Sequence, residues 1–366
     1  MTLLPSAVSD VGSRPGWPSF KRVVVFRALQ LGDMLCAIPA LRALRHACPH
    51  ARITLVGLPW TRDLHPRFGA YLDDVISFPG FPGLPEQPAR VARIPAFLRE
   101  VMRRRFDLAL QLHGNGRLTN SIVASFGAAR CAGCRETTAA YCPGEPAWFP
   151  LRPTRGTEIE RLLAVLSALG IPGAGTHLEF PLSAEDHAEW RVSADAAGLV
   201  PGRYVCVHPG ARRANKRWAP DAFAAVADAC SSMGLDVVLT GTRAEAPLTA
   251  AVARAMHTRA VDLAGPMSLG ALGAAIRDAR LLICNDTGVS HLAAAVNTPS
   301  VVVFLDADLE RWAPLDRARH RVVYDPATCR GQERVTDACS CPGGVTPAAV
   351  LGEATRLLAE EHANAA

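Results

Sequence analysis

The chain has 366 residues, 49% of them hydrophobic and 20% charged, which suits a globular protein too long for one ordinary core and predicts two domains of similar size. A formal charge of +5 fits an anionic substrate or membrane surface but is too weak to argue for nucleic acid, so no nucleic-acid partner is expected. No run reaches the roughly 18 apolar residues of a membrane span, and residues 1–20 have no continuous apolar core, which makes them a loose leader rather than a secretory signal.

The predicted elements alternate along the chain. A strand over Arg22–Arg27 is followed by a loop from Ala28 to Gly32 and a helix from about Asp33 to Ala47. Strands follow at Arg52–Leu58 and Asp74–Phe78, then a helix over Pro95–Arg105, a strand at Leu108–Leu112 and a helix at Thr157–Leu169. A turn-rich break at Ile171–His177 precedes a helix over Ser183–Ala197, and the domain boundary is expected between Gly170 and Gly202. The second half repeats the pattern. Strands are predicted at Tyr204–Val207, Asp236–Thr240, Leu281–Cys284 and Ser300–Phe304. Helices are predicted at Pro220–Met233, Ala244–Met256, Leu269–Asp278, Val289–Val296 and Pro347–His362. Such alternation predicts two doubly wound parallel sheets around a cleft, with ligands at the carboxyl ends of the strands.

Four polar motifs fall at those strand ends. In Arg27-Ala-Leu-Gln-Leu-Gly32-Asp33, Asp33 reads either as a helix N-cap or as a general base facing the cleft. The loop lacks GxGxxG and so is no NAD-type phosphate loop. The segment His208-Pro-Gly210-Ala-Arg-Arg-Ala-Asn-Lys216-Arg-Trp reads as a phosphate cradle. Gly210 permits unusual backbone angles, Lys216 supplies a point charge, and Arg212, Arg213 or Arg217 supply forked donors. Lys216 is one of only two lysines, with Lys21, in a chain otherwise using Arg. In Thr240-Gly241-Thr-Arg-Ala-Glu245, Glu245 serves equally as a helix-start carboxylate or as an acceptor for a ribose or sugar hydroxyl. In Asn285-Asp286-Thr287-Gly288-Val-Ser-His291, donors at a helix start make an anion site. No G-x-S-x-G elbow accompanies His291 and Asp286, so these two do not make a hydrolase triad.

The eleven cysteines are scattered, with Cys36, Cys206, Cys230 and Cys284 inside apparent strands and helices. They read as buried thiols of a reducing compartment, which places the chain in the cytoplasm. Cys131-Ala-Gly-Cys134 is a single C-x-x-C, and Cys329, Cys339 and Cys341 have the wrong spacing for a second; neither a metal nor a cofactor is expected. Arg103, in the run Met102–Arg105, is either a solvated helix end or a contact for an anionic acceptor or membrane surface.

In order, LGDMLCAIPALRALRHACPHARITLVG, HPGARRANKRW, VVLTGTRAE, DLAGPMSLGALGAAIRDARLLICNDTGVSHLAAAVNTPSVVVF and ERWAP resemble the ADP-heptose:lipopolysaccharide heptosyltransferases, glycosyltransferase family nine. The resemblance runs from about Arg22 to Pro314 and implies a GT-B fold of two Rossmann-like domains facing a central cleft. The implied organisation is an acceptor domain over residues 21–180, a nucleotide-sugar domain over residues 200–345 and a C-terminal helix over residues 346–366. It implies metal-independent inversion, with Asp33 as base. His208, Gly210, Lys216, Thr240, Gly241, Glu245, Asp286, Thr287, Gly288 and His291 would hold an ADP-sugar donor. Arg27, Gly32 and Arg103 would meet an anionic glycolipid acceptor. The implied setting is a cytoplasmic monomer in peripheral contact with the inner membrane. The segments 131–150 and 328–342 depart from the family pattern and leave the acceptor open. Alternatives are a protein or other glycan acceptor, turnover of the donor without an acceptor, and non-catalytic nucleotide-sugar binding.

Overall fold

The computed structural model describes residues 19–265, 267–331, 333, 335 and 338–365, the side chains of 361–365 excepted. The leader expected over residues 1–20 lies outside the described residues but for its last two.

The first half comprises β1 (Arg22–Phe26), α1 (Leu31–Leu35), α2 (Ile38–Ala47), β2 (Arg52–Gly57), β3 (Asp74–Ser77), α3 (Ile94–Arg103), β4 (Leu108–Gln111), α4 (Thr119–Ala124), β5 (Arg130–Ala132) and α5 (Glu158–Ala168). Its five strands are parallel in the order β3-β2-β1-β4-β5. The second half comprises α6 (Ala184–Ala197), β6 (Tyr204–His208), α7 (Pro220–Ser232), β7 (Asp236–Leu239), α8 (Ala246–Ala255), β8 (Ala260–Asp262), α9 (Leu269–Asp278), β9 (Leu281–Asn285), α10 (Gly288–Ala295), β10 (Ser300–Phe304), α11 (Leu309–Trp312), β11 (His320–Tyr324), β12 (Ala338–Ser340) and α12 (Pro347–Ala365). Its seven strands are also parallel, in the order β12-β11-β10-β9-β6-β7-β8. The chain therefore has two parallel-sheet α/β domains.

Period-2 alternation builds both sheets. In β1, Val23 and Val25 enter one core while Val24 and Phe26 enter the core on the opposite face. In β9, Leu282 and Cys284 face one way, and Leu281 and Ile283 the other. Burial on both faces is why these strands read as continuous apolar runs. Cys206 and Cys284 are fully buried within them as small apolar groups.

One predicted helix is two. The helix expected from Asp33 to Ala47 breaks at Cys36–Ala37 into α1 and α2. Pro39 has no N–H to give the Leu35 carbonyl, and its ring collides with a continuing turn. The strands absent from the sequence reading, β5, β8, β11 and β12, lie toward sheet edges, and three of them have only three residues. The capping boxes at Thr157/Glu160 and Ser183/Asp186 open α5 and α6.

Asp186 also takes a bidentate Arg67, from the segment between β2 and β3. Both charges lie flush on Gly270 of α9, where a Cβ would collide with them. Arg67 holds the Asp186 carboxyl at about 2 against the opposing effect of burial. A depressed folded-state value stabilises the fold above the ordinary carboxylate range, and that contribution disappears as pH falls through about 2. Asp186→Asn is expected to cost about 2 kcal/mol at neutral pH. In urea titrations from pH 6 to pH 2 the gap to the parent should shrink with acidification; a pH-independent gap would remove the ion pair as its cause.

Candidate active site

Strand order locates the site. From β1 the chain winds outward to β3, then crosses back to β4 beside β1; from β6 it winds to β8, then returns to β9 beside β6. Each reversal leaves a crevice at the carboxyl ends of two strands. The segment after β1 carries Asp33, and the segments after β6 and β9 carry Lys216 and Asp286–His291. The crevices face one another across a cleft of about 430 Å3, walled by Asp33, Arg213, Lys216, Asp286, Thr287 and His291 among others.

The two walls touch where side chains are absent. A Cβ on Gly32 would lie 2.8 Å from His291 Cδ2, and one on Gly288 would lie 2.9 Å from the Gly32 backbone nitrogen. Neither glycine has a left-handed φ, so the requirement is space. Backbone cannot swing aside as a side chain can. Gly288→Ala is therefore expected to push α10 from α1, costing roughly 1–3 kcal/mol and lowering turnover with it. A variant matching the parent in both thermal midpoint and kcat/KM would show that the close approach is dispensable.

Asp33 lies in the first turn of α1, one residue inside Gly32, and the cap position is Gln30. The capping alternative is therefore not realised. A quarter of its side chain is exposed, toward the cleft. Burial raises its pKa above the ordinary carboxylate value; Arg27 pulls against this, Glu158 adds to it, and Arg311 and His291 pull weakly back. A carboxylate moved upward in this way is a stronger base than an ordinary one.

Lys216 Nζ bonds Asp286, whose side chain is 5% exposed. Asn285 joins the two loops: its Oδ1 accepts from the Trp218 amide at 3.0 Å, and its Nδ2 donates to the Pro209 carbonyl at 2.8 Å. Thr287 is the residue preceding α10, and its side chain makes no capping bond. Of the other cations, Arg217 closes its own loop onto the Ala211 carbonyl. Arg212 reaches the Pro85 and Glu86 carbonyls of the first domain. Buried His291 contacts Cys36 Sγ through Nδ1 at 3.6 Å, and burial lowers its pKa. A second cavity of about 410 Å3 opens behind His291, walled by Cys36, Glu158, His177, Arg311 and His320 among others.

The remaining expected donor residues lie farther along the second-domain wall. His208 is buried at the end of β6, with Nδ1 3.1 Å from Thr240 Oγ1 beyond β7. Glu245 closes a capping box on Thr242, the helix-start alternative raised for it. Its carboxylate also covers Gly210, where any Cβ would collide with it. Gly210 has no left-handed φ; the glycine provides clearance, not an unusual turn. Gly241 is less confined: a Cβ there would lie 3.3 Å from the Glu245 Cβ.

Two expected acceptor contacts need correction. Arg27 is 1% exposed. Its guanidinium donates to the carbonyls of Asp33 and Leu112 and to Glu158, so it braces the site from below and cannot touch an acceptor. Arg103 is exposed at the C-terminal end of α3. In a crossover unit that end returns to the amino ends of the strands, opposite the cleft. Arg104 accordingly meets Asp74 at the start of β3.

The sequence reading did not single out Glu158, Asn285, Arg311 or Trp312. Asn285 and the pair Arg311-Trp312 lie inside segments quoted for the resemblance, and the T-x-x-E capping signature marks the helix start that carries Glu158.

Two parallel α/β domains that meet at their strand ends, with a carboxylate on one wall and a lysine and helix start on the other, define a GT-B type protein. Residues 94–339 match the model of glycosyltransferase family 9 (heptosyltransferase), and the chain belongs to that family. It is similar to lipopolysaccharide heptosyltransferase 3 of Escherichia coli K12, at 37% identity over 168 residues, 45% of this chain and 48% of that one. The chain thus spans about half the length of the curated relatives it matches. The fold is shared with the family 9 glycosyl transferase of Veillonella parvula (TM-score 0.73, 22% identity, 93% of this chain and 98% of that one). It is shared as well with ADP-heptose lps heptosyltransferase II of E. coli (TM-score 0.68, 21% identity, 93% and 99%). Among the described residues no helix is long and apolar enough to cross a membrane.

Proposed function

We propose that this chain transfers a heptose, or a related sugar, from an ADP-sugar to a lipopolysaccharide-core or similar anionic glycan, with inversion at the anomeric carbon. The observation that carries the reading is the meeting of Asp33 with Lys216 and the Asp286–Gly288 turn in one cleft built by both domains. Asp33 takes the proton of an acceptor hydroxyl as its oxygen bonds the anomeric carbon, and the bond from that carbon to the diphosphate breaks on the opposite side. ADP leaves with the electron pair. Lys216, Arg213 and the amides opening α10 stabilise the charge that grows on it. These cations and amides do the work with no metal in the proposal. The nucleoside lies along the ends of β6 and β7, where Glu245 offers a carboxylate oxygen to its ribose.

The acceptor rests on the first domain. In place of Arg103, Arg90 and Arg93 meet the anionic groups of the acceptor. With Ser77 and Gln87 these line a concavity of about 340 Å3 at the carboxyl end of β3. That end faces the same way as the cleft. The working unit is a single chain, acting in the cytoplasm at the inner face of the membrane. The similar proteins, lipopolysaccharide heptosyltransferase 3 and ADP-heptose lps heptosyltransferase II, support this choice of donor and acceptor.

The test is mass spectrometry of products after purified protein meets ADP-heptose and a cell-envelope extract. A glycan heavier by one heptose is expected. Consumption of ADP-heptose without any glycosylated product would replace the reading by donor hydrolysis. An untouched ADP-heptose beside another nucleotide sugar that is consumed would remove the donor assignment.

A further inference from the structure

The domains are also joined beside the cleft, where α11 and the residues before it face the start of α5 with complementary charge. Glu310 accepts from the Gly156 amide at 2.9 Å and from Arg155 Nε at 3.3 Å. Asp308 lies 3.9 Å from Arg161. Arg311 Nε donates to Glu158 Oε2 at 2.8 Å. The last contact continues inward. The other oxygen of Glu158 accepts from Arg27 Nη2 at 3.2 Å, and Arg27 grips the Asp33 carbonyl through Nε at 3.0 Å and Nη2 at 2.8 Å. A guanidinium of the second domain is thus linked through one carboxylate to a guanidinium of the first, and through that to the backbone of Asp33.

Glu158 is 4% exposed, and a carboxylate so placed is tolerated only while both oxygens are paired. Burial opposes its ionisation, but Arg27 and Arg311 outweigh burial and hold its pKa below the ordinary value. If Arg311 withdraws with its domain, half of that pairing is lost. The bond from Arg311 therefore ties the second domain to Glu158 in this arrangement and places a positive charge within the field of Asp33.

We propose that Glu158 is a positioning residue, through which docking of Arg311 on domain closure fixes the place and the charge environment of Asp33. The inference rests on the reading of Asp33 as base. The charged groups that face Asp33 are Arg27 from the residue after β1, Glu158 from α5, Arg311 from α11 and His291 from α10. Lys216 and Asp286 stand on the opposite wall of the cleft. Neutralising Glu158 removes a negative charge that opposes ionisation of Asp33. Neutralising Arg311 removes a positive charge that favours it. The two variants must then move the same titration in opposite directions, which simple loosening of the fold would not do.

The experiment measures kcat and KM for ADP-heptose against pH in the parent, Glu158→Gln, Arg311→Gln and Asp33→Asn. The acid limb of kcat/KM should move down in Glu158→Gln and up in Arg311→Gln, each by roughly half to one pH unit. In Arg311→Gln at its optimum, kcat should fall about tenfold while KM for the donor changes less than about twofold. If both limbs stay on the parent's, or both move the same way, while Asp33→Asn is inactive, the inference is overturned and the reading of Asp33 stands. If Asp33→Asn retains the parent's rate, the reading of the base fails first. If Glu158→Gln yields no folded protein, Arg311→Gln decides alone, because an unmoved acid limb there overturns the proposal.

Discussion

Asp33→Asn is expected to lower kcat by roughly 10²–10⁴, the range of a lost general base, with the donor bound about as tightly as in the parent. The substitution keeps the shape of the side chain and removes its capacity to accept a proton. The surroundings predict a small structural effect. Arg27 grips the Asp33 carbonyl, not its carboxylate, and Oδ1 stands 4.0 Å from the guanidinium. The backbone is thus held whatever the side chain carries. The parent's pH profile should be set by the same group. On the proposed role of Asp33 the reaction uses the ionised carboxylate, and burial raises its pKa from the ordinary value. Activity is therefore lost on acidification at a higher pH than an exposed aspartate would give. Single-turnover kinetics with ADP-heptose separates the chemical step from release of ADP. Equal single-turnover rates in parent and Asp33→Asn would leave the residue with no part in proton transfer.

Lys216→Met is expected to reduce kcat by about 10²–10³, the scale for losing one preorganised group that stabilises developing charge. It has a second effect of different origin. Lys216 is the ion-pair partner of Asp286, which is almost fully buried. Removing the cation leaves a carboxylate without its counter-charge beside the proposed diphosphate site. Stability should fall by about 1–3 kcal/mol, less than for a fully buried pair because the lysine keeps some solvent contact. Donor binding should weaken too. The double variant Lys216→Met/Asp286→Asn sorts these effects: the thermal midpoint should recover while kcat stays low. Recovery of both together would assign the lysine a purely structural role, since the repulsion from Asp286 would then account for the whole loss.

The main lines of the site were legible because each motif follows a strand whose apolar run is easy to read. RVVVF, YVCVH and LLICN end at Phe26, His208 and Asn285. In a parallel sheet the polar residues after such runs emerge at one edge, which is why Asp33, Lys216 and Asp286 could be named together. For Arg103 the structure favours the solvated helix end over the acceptor contact, for a reason of the same kind. Charge run and helix were both read correctly, but the end of the sheet to which that helix returns was not weighed. Arg27 was misjudged because nothing local separates an arginine aimed at solvent from one whose donors are all taken up inside the protein. Glu158 and Arg311 are 153 residues apart, and each by itself looks like an ordinary charge near a helix terminus.

Local pattern by itself determined the two parallel α/β halves and the polar turns that follow their strands, because side-chain period and turn chemistry act over a few residues. It also marked Gly32 and Gly288 as features of those turns, though not why they are glycine. Only the tertiary structure decided that these two glycines touch, that Gly210 makes room for Glu245, and that Arg27, Glu158 and Arg311 join into one buried ionic chain beneath Asp33. The physical reason is range. Backbone preference and burial periodicity are written into neighbouring residues, whereas close approach and charge pairing depend on how two separately folded sheets come to rest against each other.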